Sequence, residues 1–249
     1  MQEYSYQLYS SRKFGPIGDT LQMVAEEGYS QVECFGDLIA SELFSESLSG
    51  AGLAMPTAHV PLEAIESEPG KIVDLAGELG IAQIYAPYLK PEDRPNTVDG
   101  WSEFGQRLAV AGKPLRDAGI EFGWHNHDFE FVAIENGMMP IECMLDSDKR
   151  LLLEMDIAWV HVAGADPLSC LHRFSDRIGS VHIKDVAPPG ENKDEDGWAD
   201  VGHGTLDWNA LHAAMGRTSA AYRIVEHDNP RNDRRFASRS MAALRTLKR

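Results

Sequence analysis

Cysteine is scarce in this 249-residue chain: Cys34, Cys143 and Cys170 stand far apart. That number and spacing exclude a disulfide framework and a zinc knuckle, and a reducing cytoplasm is the expected setting. Cationic side chains are also few. Lys and Arg number 23 against 39 Asp and Glu, for a formal net charge of −16. A surface that acidic repels phosphate backbones and anionic lipid, so neither nucleic acid nor a membrane is an expected partner. No apolar run approaches the roughly 20 residues of a membrane span. The opening stretch MQEYSYQLYSSRKF has no basic segment leading into an apolar one, so no secretory leader is expected. There is no low-complexity linker and no break in composition, which predicts one domain over 1–249. At 43% hydrophobic content a chain of this length can bury a sizeable core. Its state of assembly, a homo-oligomer included, is left open.

What the chain does have is alternation. Short apolar or alternating runs predict strands at 5–9, 31–34, 57–60, 83–87, 121–125, 151–156, 180–184 and 222–226. Helical patterns follow near 17–27, 42–51, 70–79, 97–118, 140–145, 167–173, 208–215 and 231–246. Strands that alternate with helices form parallel βαβ units, and eight of them close into a (β/α)8 TIM barrel, an α/β fold of about 250 residues. Gly28, Gly52, Gly80 and Gly119 each fall between a helix and the next strand, where a left-handed residue ends a helix. The segment 187–201 is polar, long and Pro/Gly-containing, and is expected as an excursion after the seventh strand that serves as a mobile lid.

In a parallel barrel the chemistry gathers at the carboxyl ends of the strands. The third strand ends at His59. The fifth runs into Trp124-His125-Asn126-His127-Asp128-Phe129-Glu130, the sixth ends Glu154-Met155-Asp156, the seventh His182-Ile183-Lys184-Asp185 and the eighth Glu226-His227-Asp228. Acids and imidazoles thus converge on one end of the barrel. Converging carboxylates repel unless a cation lies between them. Oxygen ligands with an imidazole suit Mn2+, Mg2+, Co2+ or Zn2+. Such an ion favours proton transfer at a hydroxy-ketone through an enediolate.

At these residues the chain resembles the sugar phosphate isomerase/epimerase superfamily, the xylose isomerase-like barrels. The likeness begins at Tyr6-Gln7-Leu8-Tyr9-Ser10 and Val32-Glu33 and is sharpest at Trp124 to Phe131. It continues through Met155-Asp156-Ile157-Ala158-Trp159, Val181-His182-Ile183-Lys184-Asp185, Val201-Gly202-His203-Gly204-Thr205 and Ile224-Val225-Glu226. The resemblance implies one divalent ion, Mn2+ foremost, held by an acid from strand five with Asp156, His182 and Glu226. Glu130 is the first choice for the strand-five ligand. Many relatives carry Glu where this chain has His125, so His125 stands beside it as the alternative. Glu130, Glu226, His125 and Lys184 are the expected catalytic groups, and His59, His127, Trp159 and Trp124 the expected substrate contacts. Lys184 shares strand parity with His182, and a salt bridge to Glu154 is its alternative role. Many epimerases of the superfamily have His where this chain has Trp159, which favours a branch acting on oxidised sugars.

The activity implied is removal of the proton α to the carbonyl of a keto-sugar or keto-cyclitol. Reprotonation gives isomerisation or epimerisation; loss of a β-leaving group gives dehydration or glycosidic cleavage, as in an inosose dehydratase or a 3-keto-glycoside lyase. A sugar-binding accessory subunit without turnover is the reading from another class. An abasic-site endonuclease shares the fold, but a multi-metal cluster and a basic DNA face do not fit a charge of −16.

Overall fold

The structure is a computed structural model and describes residues 3–247. Eight parallel strands close on themselves: β1 Ser5–Gln7, β2 Gln31–Phe35, β3 Ala54–His59, β4 Gln83–Ala86, β5 Glu121–His125, β6 Leu152–Asp156, β7 Ile178–Ile183 and β8 Tyr222–Val225. Each pairs with its sequence neighbours, and β1 closes the ring on β8 with Tyr6 opposite Val225. The expected α/β barrel is the observed fold. No helix among the described residues is long and apolar enough to cross a membrane.

Alternation sorts each strand into two sets. One set is apolar and faces the helices: Val32 and Cys34, Ile84 and Ala86, Phe122 and Trp124, Leu153 and Met155, Val181 and Ile183 are all buried in the main hydrophobic cluster. The other set points into the barrel and is polar: Gln7, Glu33, Thr57, His59, Gln83, His125, Glu154, Asp156, Ser180 and His182 are buried as well. Barrel interiors are usually packed with branched aliphatic residues. Here the apolar burial that stabilises the fold lies between barrel and helices, and the pore is given over to hydrogen bonding.

Register fixes the height of each inward group. His125 lies opposite Glu154, Glu154 opposite Ser180, and Asp156 opposite His182. Lower in the pore, Gly123 leaves room for Tyr85, whose hydroxyl donates to Gln83 Oε1 at 2.8 Å.

The structure departs from the expected elements where side chains intervene. β1 stops at Gln7 instead of running to Tyr9, because the Gln7 side chain accepts from Tyr9 N at 3.1 Å and turns the chain into the 3-10 segment Leu8–Ser11. The helix expected over 97–118 is two, Val98–Ala111 and Lys113–Asp117. Pro114 has no N–H to offer the preceding turn. Two short helices, Leu62–Ser67 and Ile157–Val162, were not expected. The excursion is ordered: Asp185–Val186 and Trp198–Ala199 form an antiparallel ribbon. The Asp185 carboxylate gathers the N–H groups of Gly202 at 2.9 Å and Gly204 at 3.1 Å and Trp208 Nε1 at 2.7 Å, so the turn is tied to the end of β7. Gly52 and Gly80 end their helices at φ of +67° and +72°, as the sequence pattern predicts.

A Cβ added at Gly123 would stand 2.6 Å from Tyr85 Cε1 and press on the Leu152 backbone. Gly123→Ala is expected to cost about 2 kcal/mol by overpacking. Thermal denaturation should then show Tm lowered by roughly 4–8 °C. An unchanged Tm would contradict the packing described here.

Candidate active site

Six strands deliver charged side chains to the carboxyl end of the pore. Glu33, Glu154, Asp156, His182 and Lys184 are fully buried, and His59, His125 and Glu226 nearly so. Strand pleating explains the arrangement: residues two apart share a face, so Glu154 sits one step below Asp156, and Ser180, His182 and Lys184 rise in line.

His182 is the hub. Its Nδ1 lies 2.9 Å from Glu226 Oε2, and its Nε2 lies 2.8 Å from Glu33 Oε1 and 3.2 Å from Glu154 Oε2. Glu154 Oε2 also meets His59 Nε2 and, at 3.1 Å, His125 Nδ1, while its Oε1 accepts from Ser180 Oγ at 2.6 Å. Gln7 Nε2 donates to Glu33 Oε1 at 2.7 Å. Lys184 Nζ is 2.5 Å from Asp228 Oδ1, 3.6 Å from Glu226 Oε2 and 3.8 Å from Asp156 Oδ2. The same ammonium lies over the rings of Trp198 and Trp159, 4.3 and 4.9 Å from their centroids.

These contacts set the protonation states. Burial disfavours charge on His182, but the carboxylates of Glu154, Glu226 and Glu33 outweigh it and hold its pKa well above the ordinary value. Burial likewise opposes charge on Glu226; Lys184 and His182 overcome this and hold its carboxyl well below the usual range. Asp156 is the exception among the acids. Burial, reinforced by Glu226, pushes its pKa up to about 7 despite the nearby Lys184. Burial and the charge of His182 push His125 down to about 3, so its imidazole is neutral. Lys184 stays protonated, because Asp228, Glu226 and Asp156 more than offset its burial.

Above this level opens a cavity of about 550 Å³. Tyr9, Phe35, Tyr88 and Trp159 give it aromatic walls. His59, His125, His127 and Glu226 reach it from below, with Asp228 and Asp196 at the side. Of the expected substrate contacts, His59, His127 and Trp159 are therefore brought to the cavity. Trp124 is not. It has the parity opposite to His125, points at the helices and packs edge-on against Phe104 at 5.3 Å. Of the expected catalytic and metal groups, His125, Asp156, His182, Lys184 and Glu226 come together, whereas Glu130 stands apart. Its Oε1 accepts from Trp124 Nε1 at 2.7 Å and its Oε2 from His127 N at 2.9 Å. Burial raises its pKa to about 8. Glu130 thus braces the loop after β5 from behind. The alternative partner given to Lys184 also changes: Glu154 engages three imidazoles, and Lys184 pairs with Asp228.

Among the described residues, ligating atoms of His125, Asp156, His182 and Glu226 all lie within 4.8 Å of one another. Asp156 Oδ1 caps the helix Ile157–Val162 by accepting from Trp159 N at 2.9 Å. Its Oδ2 is buried with no hydrogen-bond partner. A carboxylate oxygen left so is costly unless a cation fills the place. The donor set, two carboxylates and one or two imidazoles, fits a divalent ion. Glu33, Glu154 and Asp228 are functional-site neighbours that stood in the strand-end runs of the sequence without an assigned catalytic, substrate or metal role. For Glu154 and Asp228 the available signal was parity, each being two residues from a strand-end acid.

The fold is shared with solved structures. A sugar phosphate isomerase/epimerase from Parabacteroides distasonis ATCC 8503 superposes with a TM-score of 0.82 at 20% identity, over 98% of this chain and 93% of that one. A 3-keto-D-glucoside 4-epimerase from E. coli superposes with a TM-score of 0.72 at 20% identity, over 99% and 100% of the two chains. At these identities the likeness is one of fold. An inosose dehydratase from Lacticaseibacillus casei is 32% identical over 96 residues, 38% of this chain and 32% of the relative. The matched stretch is thus about a third of that protein. The sequence pattern of the xylose isomerase-like TIM barrel matches residues 21–247, nearly the whole chain, and the protein belongs to that family.

Proposed function

We propose that this barrel is an enzyme that removes the proton α to the carbonyl of a keto-sugar or keto-cyclitol. The observation that carries this reading is an ionised Glu226 that reaches the cavity, with a protonated Lys184 buried behind it, its Nζ 3.6 Å away. A base and a cationic donor side by side are what enolisation needs. Asp156, His182 and Glu226, with His125 as the strand-five member, would hold a divalent ion. Mn2+ is the first choice, with Mg2+, Co2+ and Zn2+ as alternatives. When bound, such an ion polarises the carbonyl and neighbouring hydroxyl oxygens of the substrate.

The residues do the rest. Glu226 Oε takes the acidified proton. Lys184 Nζ, fixed by Asp228 and by the rings of Trp159 and Trp198, lends positive charge from beneath the cavity to the negative charge that develops on oxygen. His125 and His127, both kept neutral chiefly by burial, hydrogen-bond the substrate hydroxyls. The aromatic walls stack on the apolar face of a sugar ring. Return of the proton gives isomerisation or epimerisation, and departure of a β-hydroxyl gives dehydration. The likeness to an inosose dehydratase supports the second outcome and the likeness to a 3-keto-D-glucoside 4-epimerase the first. Both share the proton removal. Three free, buried thiols suit a cytoplasmic protein.

Three results are expected. Incubation with inososes and 3-keto-glycosides in D2O should place deuterium at the α carbon, read by NMR or mass spectrometry, and Glu226→Gln should slow this at least about 100-fold. Binding without exchange in the wild type would favour an accessory sugar-binding role. Metal analysis should show that Asp156→Asn and His182→Ala lose divalent-ion affinity while Glu130→Gln keeps it. Loss in Glu130→Gln alone would return the strand-five role to Glu130. The pH dependence has a definite sign. Asp156, with its pKa near 7, is protonated below that value, and a proton competes with the ion for its carboxylate. Uptake followed by calorimetry should strengthen as pH rises from about 6 to 8. Affinity that falls over this interval would contradict the assignment of Asp156.

A further inference from the structure

A second donor cluster lies beneath the first. Glu33, His59 and Glu154 converge under His182, on the side away from Glu226. His59 Nε2 is 3.2 Å from Glu33 Oε1 and in contact with Glu154 Oε2. His182 Nε2 touches the same two carboxylates at 2.8 and 3.2 Å. Ligating atoms of His59, His125, Glu154 and His182 fall within 4.8 Å of one another, a group that shares His125 and His182 with the one containing Asp156 and Glu226. A tetrahedral ion with bonds of about 2.0–2.1 Å sets its ligand atoms roughly 3.3 Å apart, near the 3.2 Å that separates His59 Nε2 from Glu33 Oε1 and His182 Nε2 from Glu154 Oε2. Glu33 is fully buried, and its Oε2 has no hydrogen-bond partner. Two buried carboxylates thus face two imidazoles whose protons a divalent ion can replace, and one Glu33 oxygen is left unsatisfied.

We propose that Glu33, His59 and Glu154 form an inner divalent-metal site, distinct from the outer one at Asp156, His182 and Glu226. The mixed nitrogen and carboxylate donor set suits Zn2+ or a similar borderline ion. The two sites meet at His182. Its Nδ1 faces the outer carboxylate Glu226, and its Nε2–H donates to Glu33, an inner ligand. A bound inner ion therefore fixes the tautomer and orientation of the outer imidazole, the role that a hydrogen-bonded carboxylate plays behind many metal-binding histidines. His59 also reaches the cavity.

Metal counting tests this directly. Protein stripped with chelator, loaded with excess ZnCl2 and passed through a desalting column should carry two zinc ions per chain by mass spectrometry. Glu33→Gln and His59→Ala should each carry one, as should Asp156→Asn. If His59→Ala fails to fold, the isosteric Glu33→Gln gives the same reading. One ion or none per wild-type chain overturns the proposal, whichever variant loses it. So does a second ion that survives both Glu33→Gln and His59→Ala. The ion count does not depend on turnover, so an inactive wild type would refute the proposed function and leave this inference standing.

Discussion

One imidazole held between carboxylates organises this molecule. His182 has Glu226 on one nitrogen and Glu33 with Glu154 on the other, all at the centre of the barrel. Charges in such a place are expensive to bury, and removing one partner strands the others. The pore is therefore filled by groups that satisfy one another: Gln7 on Glu33, Ser180 on Glu154, Lys184 between Asp228 and Glu226. Stability has to come from elsewhere, and it comes from the apolar layer between strands and helices. This separation lets the inner face of the same eight strands be spent on electrostatics.

The electrostatic design also explains the division of labour among the acids. Glu226 is kept ionised by two cations. Asp156 is more weakly compensated and sits near neutrality, so it behaves as a site whose occupancy follows pH. Glu130, equally buried, is held by donors that do not face the cavity, and works as a brace for the loop carrying His127. Three carboxylates of similar burial thus have different states because their neighbours differ.

Much of this was legible in the sequence. Period-two runs between helical segments predicted the barrel, and asking which residue ends each strand brought out His59, His125, Asp156, His182 and Glu226. That works because closure of a parallel barrel forces strand ends together. Two kinds of information were out of reach. One is which side of a loop a residue takes: Glu130 and Trp124 lie within six positions of His125, yet one braces the loop from behind and the other faces the helices. The other is pairing across the pore. Parity shows that Glu154 and Lys184 both point inward, but only the register and the heights of β6 and β7 show that Glu154 meets three imidazoles while Lys184 rises to Asp228. Charge pairing at a distance of many residues is written in geometry, and the sequence carries only its ingredients.

The central claim is that this site breaks a carbon–hydrogen bond beside a carbonyl by moving a proton. A keto-glycoside or inosose deuterated at that carbon tests it most directly. Turnover should be slower than with the protium substrate, and the label should pass from the α carbon to water. Equal rates with the label fully retained in the product would contradict the account.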